Sequence, residues 1–133
     1  MRAAAMALTL GLALACGMPQ QAGALEGSGV MLQALDKVTA RVTTLDVTLG
    51  QPVRFGTLEI VARRCYKRPP EESPESAAFL EIREIRDGEM PQQLFTGWMF
   101  ASSPALSALE HPVYDVWVKD CLNVKSSDDS APR

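Results

Sequence analysis

His111 is the single histidine of the chain, so a Ser-His-Asp triad or a histidine-centred metal site must use this side chain or do without one. Ser102, Ser103, Ser107 and Asp115 lie nearby in sequence, which allows a small hydrolase built on His111 with a serine or an acid. The chain lacks the G-x-S-x-G elbow that holds a serine nucleophile on a strained turn. A histidine between Glu110 and Pro112 suits a different task equally well: locking a turn by hydrogen bonding, or by its charge at a helix C-terminus. Glu81, Glu84, Asp115 and Asp120 fall on strand-like runs, where two could pair across a cleft as glycosidase carboxylates do, though strand surfaces ordinarily carry such residues. No glycine-rich phosphate loop, C-x-x-C or calcium-loop spacing occurs, and no metal or cofactor is expected.

Cys65 and Cys121 remain once an N-terminal leader containing Cys16 is set aside, and an even cysteine count in an exported chain reads as one disulfide. The two lie 56 positions apart, unlike the closely spaced pair of a redox-active dithiol. Closing so long a loop stabilises a fold by about 4 kcal/mol in the chain-entropy description. Arg63, Arg64, Lys67 and Arg68 form the one basic concentration, beside Glu71, Glu72 and Glu75, with which they are expected to pair.

Trp98-Met99-Phe100 is the densest large apolar stretch of the exported part. Consecutive residues of a strand point to opposite faces, so one face of this segment meets solvent unless something covers it. Trp98, Met99 and Phe100, with Leu106, Leu109 and His111 on the connection that follows, are the candidate partner-binding residues, because aromatic side chains give large contact area at little cost in rotamer entropy.

The elements that must position these residues are strands. Val38, Ala40 and Val42 alternate with polar residues, and Leu45, Val47 and Leu49 continue out of phase, which predicts a strand with a slip near Thr43-Thr44. Gly50-Gln51-Pro52 turns the chain. Val53 to Cys65 reads as one strand kinked at Gly56-Thr57. Arg68 to Ser76, with three prolines and three glutamates, is an exposed loop. Ala78 to Ile85 and Leu94 to Phe100 flank Arg86-Asp87-Gly88-Glu89 and should pair as a hairpin. Ser103-Pro104 has the chemistry of a helix start and predicts a short helix to about Leu109, before a last strand from Val113 to Cys121. The expected fold is all-β: a compact antiparallel barrel or sandwich of five to six strands, with one short helix before the last strand.

The chain has 133 residues, 47% apolar and 22% charged, with a formal charge of -3 and a pI near 5.1. This is one domain, neither disordered nor a nucleic-acid binder. Arg2, the apolar run from Ala3 to Ala15, the breakers Gly17 and Pro19, and Ala22-Gly23-Ala24 follow the grammar of a secretory signal cleaved after Ala24. The apolar run spans about 20 Å as a helix, too short to cross a bilayer. Ala13-Leu14-Ala15 before Cys16 reverses the usual lipoprotein order, so lipidation at Cys16 is the less favoured reading. The expected organisation is a signal peptide over 1–24, a flexible tail over 25–33, a β-domain over 34–122 and a flexible tail over 123–133.

FTGWMFASSPALSALEHPVYDVWVKDC at Phe95 to Cys121 resembles the signature of a family of Gram-negative exported proteins catalogued as domain of unknown function 2155. The resemblance extends through LDKVTARV at Leu35 to Val42, VRFGTLEIVARRC at Val53 to Cys65, and PPEESPESAAFLEI at Pro69 to Ile82. It implies an envelope location and assigns no catalytic residue. The expected function is therefore a non-enzymatic accessory or binding module of the periplasm, whose partner is an envelope protein or glycan. The sequence leaves its oligomeric state open.

Overall fold

The computed structural model describes Gly17, residues 23–106 and residues 108–125. All of the expected signal peptide but Gly17, Gly23 and Ala24, and all of the expected C-terminal tail but residues 123–125, lie outside the described residues. Within them are eight strands: β1 Leu25–Glu26, β2 Gly29–Asp36, β3 Arg41–Thr48, β4 Val53–Phe55, β5 Leu58–Lys67, β6 Ser76–Glu84, β7 Gln92–Phe100 and β8 Tyr114–Leu122. One antiparallel sheet runs β1-β5-β6-β7, with β4 beside the first half of β5; the other runs β3-β2-β8. The two stack as a sandwich, and neither closes into a barrel. No described helix is long and apolar enough to cross a membrane.

Period-two alternation decides which residues form the core. Leu58, Ile60 and Ala62 of β5 and Ala78, Leu80 and Ile82 of β6 face Val30, Leu32 and Ala34 of β2 and Val116 and Val118 of β8, all buried. A bulge between Ala62 and Arg64 shifts the register of β5 against β6, which turns Cys65 inward while Arg63 and Arg64 stay exposed.

Several sequence expectations need correction. Residues 25–33 form β1 and the start of β2, with Val30 and Leu32 fully buried. Their glycines serve packing: Gly27 lies where the chain passes from one sheet to the other, and a Cβ there would stand 2.8 Å from the Leu122 carbonyl and 2.9 Å from Cys121 Cβ. The slip expected at Thr43-Thr44 is a chain reversal at residues 37–40 instead. Asp36 Oδ1 accepts from the Val38 and Thr39 amides, Ala40 has φ 56°, and Val38 at the tip is 78% exposed. The kink expected at Gly56-Thr57 is also a full reversal, pairing Phe55 with Leu58. The connection from β7 to β8 shows turns and no helix among its described residues. There the Ser103 carbonyl accepts from the Leu106 amide in a single turn.

Candidate functional site

His111 is 7% exposed at the end of the β7–β8 connection. Its Nδ1 accepts from the Val113 amide at 3.0 Å and the Tyr114 amide at 3.2 Å. That leaves Nε2 to carry the proton and donate to Glu84 Oε2 at 3.1 Å. Glu84 Oε1 in turn accepts from Arg86 Nε at 2.6 Å and from the Thr57 hydroxyl at 3.4 Å. Burial pushes the Glu84 carboxyl up, but hydrogen bonds from Arg86 and His111, with the Arg86 charge, outweigh it and hold it below the usual carboxylate range. The imidazole stacks on Tyr114 with centroids 5.1 Å apart, and Lys37 Nζ donates to the His111 carbonyl at 2.8 Å.

A triad needs a free imidazole nitrogen facing a hydroxyl, and both nitrogens of His111 are engaged by other groups. Ser102 donates to Glu75 through its hydroxyl and its amide, and Asp115 pairs with Lys37 at 3.1 Å. Ser107 lies outside the described residues. The four strand carboxylates are likewise each held by a base: Glu81 by Arg63, Glu84 by Arg86, Asp115 by Lys37 and Asp120 by Lys67. Of the basic concentration, Arg63, Arg64 and Lys67 pair with acids of other strands, Glu81, Glu26 and Asp120, while the Arg68 charge acts on Glu75 of the proline-rich loop, where the sequence pointed. Among the described residues there is no cluster of three or more His, Cys, Asp or Glu that could hold a metal ion.

Cys65 and Cys121 are bonded, with Cα atoms 5.7 Å apart, and tie β5 of one sheet to β8 of the other. Asp120 works beside them. It accepts from the Cys121 amide at 2.8 Å and the Ser76 hydroxyl at 3.2 Å, and its other oxygen takes Lys67 Nζ at 3.1 Å. Burial raises the Asp120 carboxyl, and these bonds with the Lys67 charge more than reverse it. Glu75 follows the same pattern, its burial outweighed by Ser102, the Ser76 amide and the Arg68 charge.

The candidate partner-binding residues separate by parity. Met99 and Leu109 enter the core, Leu106 stands exposed on the connection, and Trp98 and Phe100 face outward, 37% and 36% exposed. Trp98 sits across from Phe79 and Phe100 across from Ala77 on β6. Phe79 meets the Trp98 ring edge-on at 5.5 Å, and Tyr66 of β5 lies tilted against it at 5.9 Å. The outer face of the larger sheet thus carries an aromatic group spanning three strands. The alternation of Phe79 with Leu80 was readable in sequence; the approach of Tyr66 was not, because it depends on the β5 bulge. Farther along the same face a shallow cavity of about 320 Å³ is bordered by the pairs Arg63–Glu81 and Arg83–Glu59. On the smaller sheet, Leu35 and Trp117 with Pro104, Ala105, Ala108 and Leu109 line an apolar groove of about 450 Å³ to which no sequence pattern pointed.

Residues 30–121 match the model of a family described as "Uncharacterized protein conserved in bacteria (DUF2155)". The chain is similar to "Uncharacterized protein RP359" of Rickettsia prowazekii (strain Madrid E), with 35% identity over 89 residues, 67% of this chain and 57% of the relative. It therefore spans little more than half the length of that curated relative. No solved structure matches.

Proposed function

The chain belongs to the bacterial family DUF2155, and from that premise we propose that it is an exported, non-enzymatic binding module of the Gram-negative cell envelope. The observation that carries the reading is the outward aromatic group of Tyr66, Phe79, Trp98 and Phe100. Large aromatic side chains left on an exposed sheet face are the usual anchors of a recognition surface. The candidate catalytic groups support the same reading, since His111 and the strand carboxylates are occupied in holding the fold together. Export is supported by the signal grammar ending at Ala22-Gly23-Ala24 and by a buried cystine, which suits an oxidising compartment.

The test is retention of envelope components by the immobilised protein, compared with the Trp98→Ser, Phe100→Ser double variant. The expected result is a component retained by the parent and lost by the variant at an unchanged melting temperature. Equal retention by both proteins sinks the reading.

A further inference from the structure

The sheet edges of this sandwich are not alike. An edge strand offers unpaired amide and carbonyl groups to any other strand, and proteins that stay monomeric blunt it by keeping it short, placing charges on it, or covering it. The β5 edge is covered in pieces by β1 and β4, of two and three residues, and by the Gly27 and Gly50 amides donating to the Cys65 and Ala62 carbonyls. The β3 edge carries Arg41 and Asp46, and the β8 edge carries Asp115, Lys119 and Asp120. β7 shows none of these devices among the described residues. Its nine residues, QQLFTGWMF, include no charge and no proline, and it ends the order of its sheet. Its one irregularity lies near its start, so Phe95–Phe100 keeps regular register with Ala77–Ile82. Among the described residues no further backbone hydrogen bond involves Gln92–Met99 beyond those within the sheet.

We propose that β7 pairs antiparallel with β7 of a second copy of this chain, making a two-fold dimer through the Phe95–Met99 edge. Antiparallel pairing of a strand with its own copy is two-fold symmetric, so one surface satisfies both partners. Charge separates this edge from the others: β3 and β8 place charged side chains on the strand, which a pairing copy must match in register or desolvate, and β7 places none. The two-fold axis stands perpendicular to the joined sheet, so the outer faces stay on one side. The Tyr66, Phe79, Trp98 and Phe100 groups of both copies then lie on one continuous surface, giving a two-site platform whose avidity exceeds that of a single face. The dimer goes beyond the binding reading and does not depend on it, since the edge pairs through backbone whether or not the aromatic face takes a ligand.

Sedimentation velocity of the purified protein from about 1 to about 200 μM tests the proposal, because a self-associating chain shifts with concentration. A dimer is expected for the parent, with self-association weakened at least about tenfold in Thr96→Lys, a charge placed on the edge as a gatekeeper. Thr44→Lys on β3, the same change on another edge, should leave the dimer intact. Hydrogen exchange on the unmodified protein reads the interface without any substitution: β7 amides should gain protection as concentration rises. A parent that stays monomeric throughout overturns the proposal. So does a dimer unaffected by Thr96→Lys whose β7 amides exchange equally fast at every concentration. A parent that dimerises yet retains no envelope component would count against the binding reading alone.

Discussion

At His111 the chemistry is decided by which ring nitrogen holds the proton. Two backbone amides converge on Nδ1, so Nε2–H points at Glu84, and the carboxylate is held by Arg86 on its other oxygen. Glu84, Glu75 and Asp120 share a consequence for acid stability. Each lies below the usual carboxylate range in the folded protein and returns to about 4 on unfolding. The unfolded chain then binds more protons over that interval. The stabilisation is complete above the unfolded value and is lost as pH falls through the depressed folded values. Melting temperature should be level with respect to these groups from about pH 7 to about pH 5 and fall below about pH 4. Glu84→Gln should make that fall shallower, and an identical acid profile in the variant would remove Glu84 from the account.

At the scale of elements, the tight reversals decide the topology. Gly56 has φ 58°, a region that costs a residue with a Cβ about 1–2 kcal/mol, and a Cβ on it would collide with the Tyr114 hydroxyl. Gly56→Ala should therefore lower stability by about 2–3 kcal/mol, read from urea midpoints. A change of only a few tenths would mean that Tyr114 swings aside. The same turn explains what the sequence could and could not say. Alternation identified Leu58, Ile60, Leu80 and Ile82 as one face, because a strand with one buried side writes its period into side-chain type. It could not tell a kinked strand from a two-stranded hairpin at Gly56-Thr57, since both break the phase once. Gly27 and Gly29 were legible only as flexible. Their role, close passage of the backbone between Cys121 and Val47, is created by long-range packing that no local pattern records. His111 was recognisable as a turn residue, but its partner Glu84 stands 27 positions away, beyond any window of local reading.

For the whole molecule, the sandwich is stitched at opposite ends of β6. At Ser76 the disulfide, Asp120 and Lys67 join β5 and β6 to β8. At Glu84 the imidazole of His111 joins the last connection to the larger sheet. With the strand rising about 3.3 Å per residue, the two clusters lie about 26 Å apart and share no partner, so their contributions should add. Reducing the disulfide should cost about 4 kcal/mol. His111→Ala, which leaves the Glu84 carboxylate and two amides without their partner, should cost about 3 kcal/mol. Together they take about 7 kcal/mol from a domain whose net stability lies in the range of about 5–15 kcal/mol. Each change alone should leave a folded protein with a lowered urea midpoint. The reduced His111→Ala protein should show the sum of the two losses in its urea unfolding, additive to within about 0.5 kcal/mol. A coupling above about 1 kcal/mol would show instead that the two ends communicate through the Leu80–Ile82 core between them, and the sandwich would then be one cooperative clamp with no independent ends.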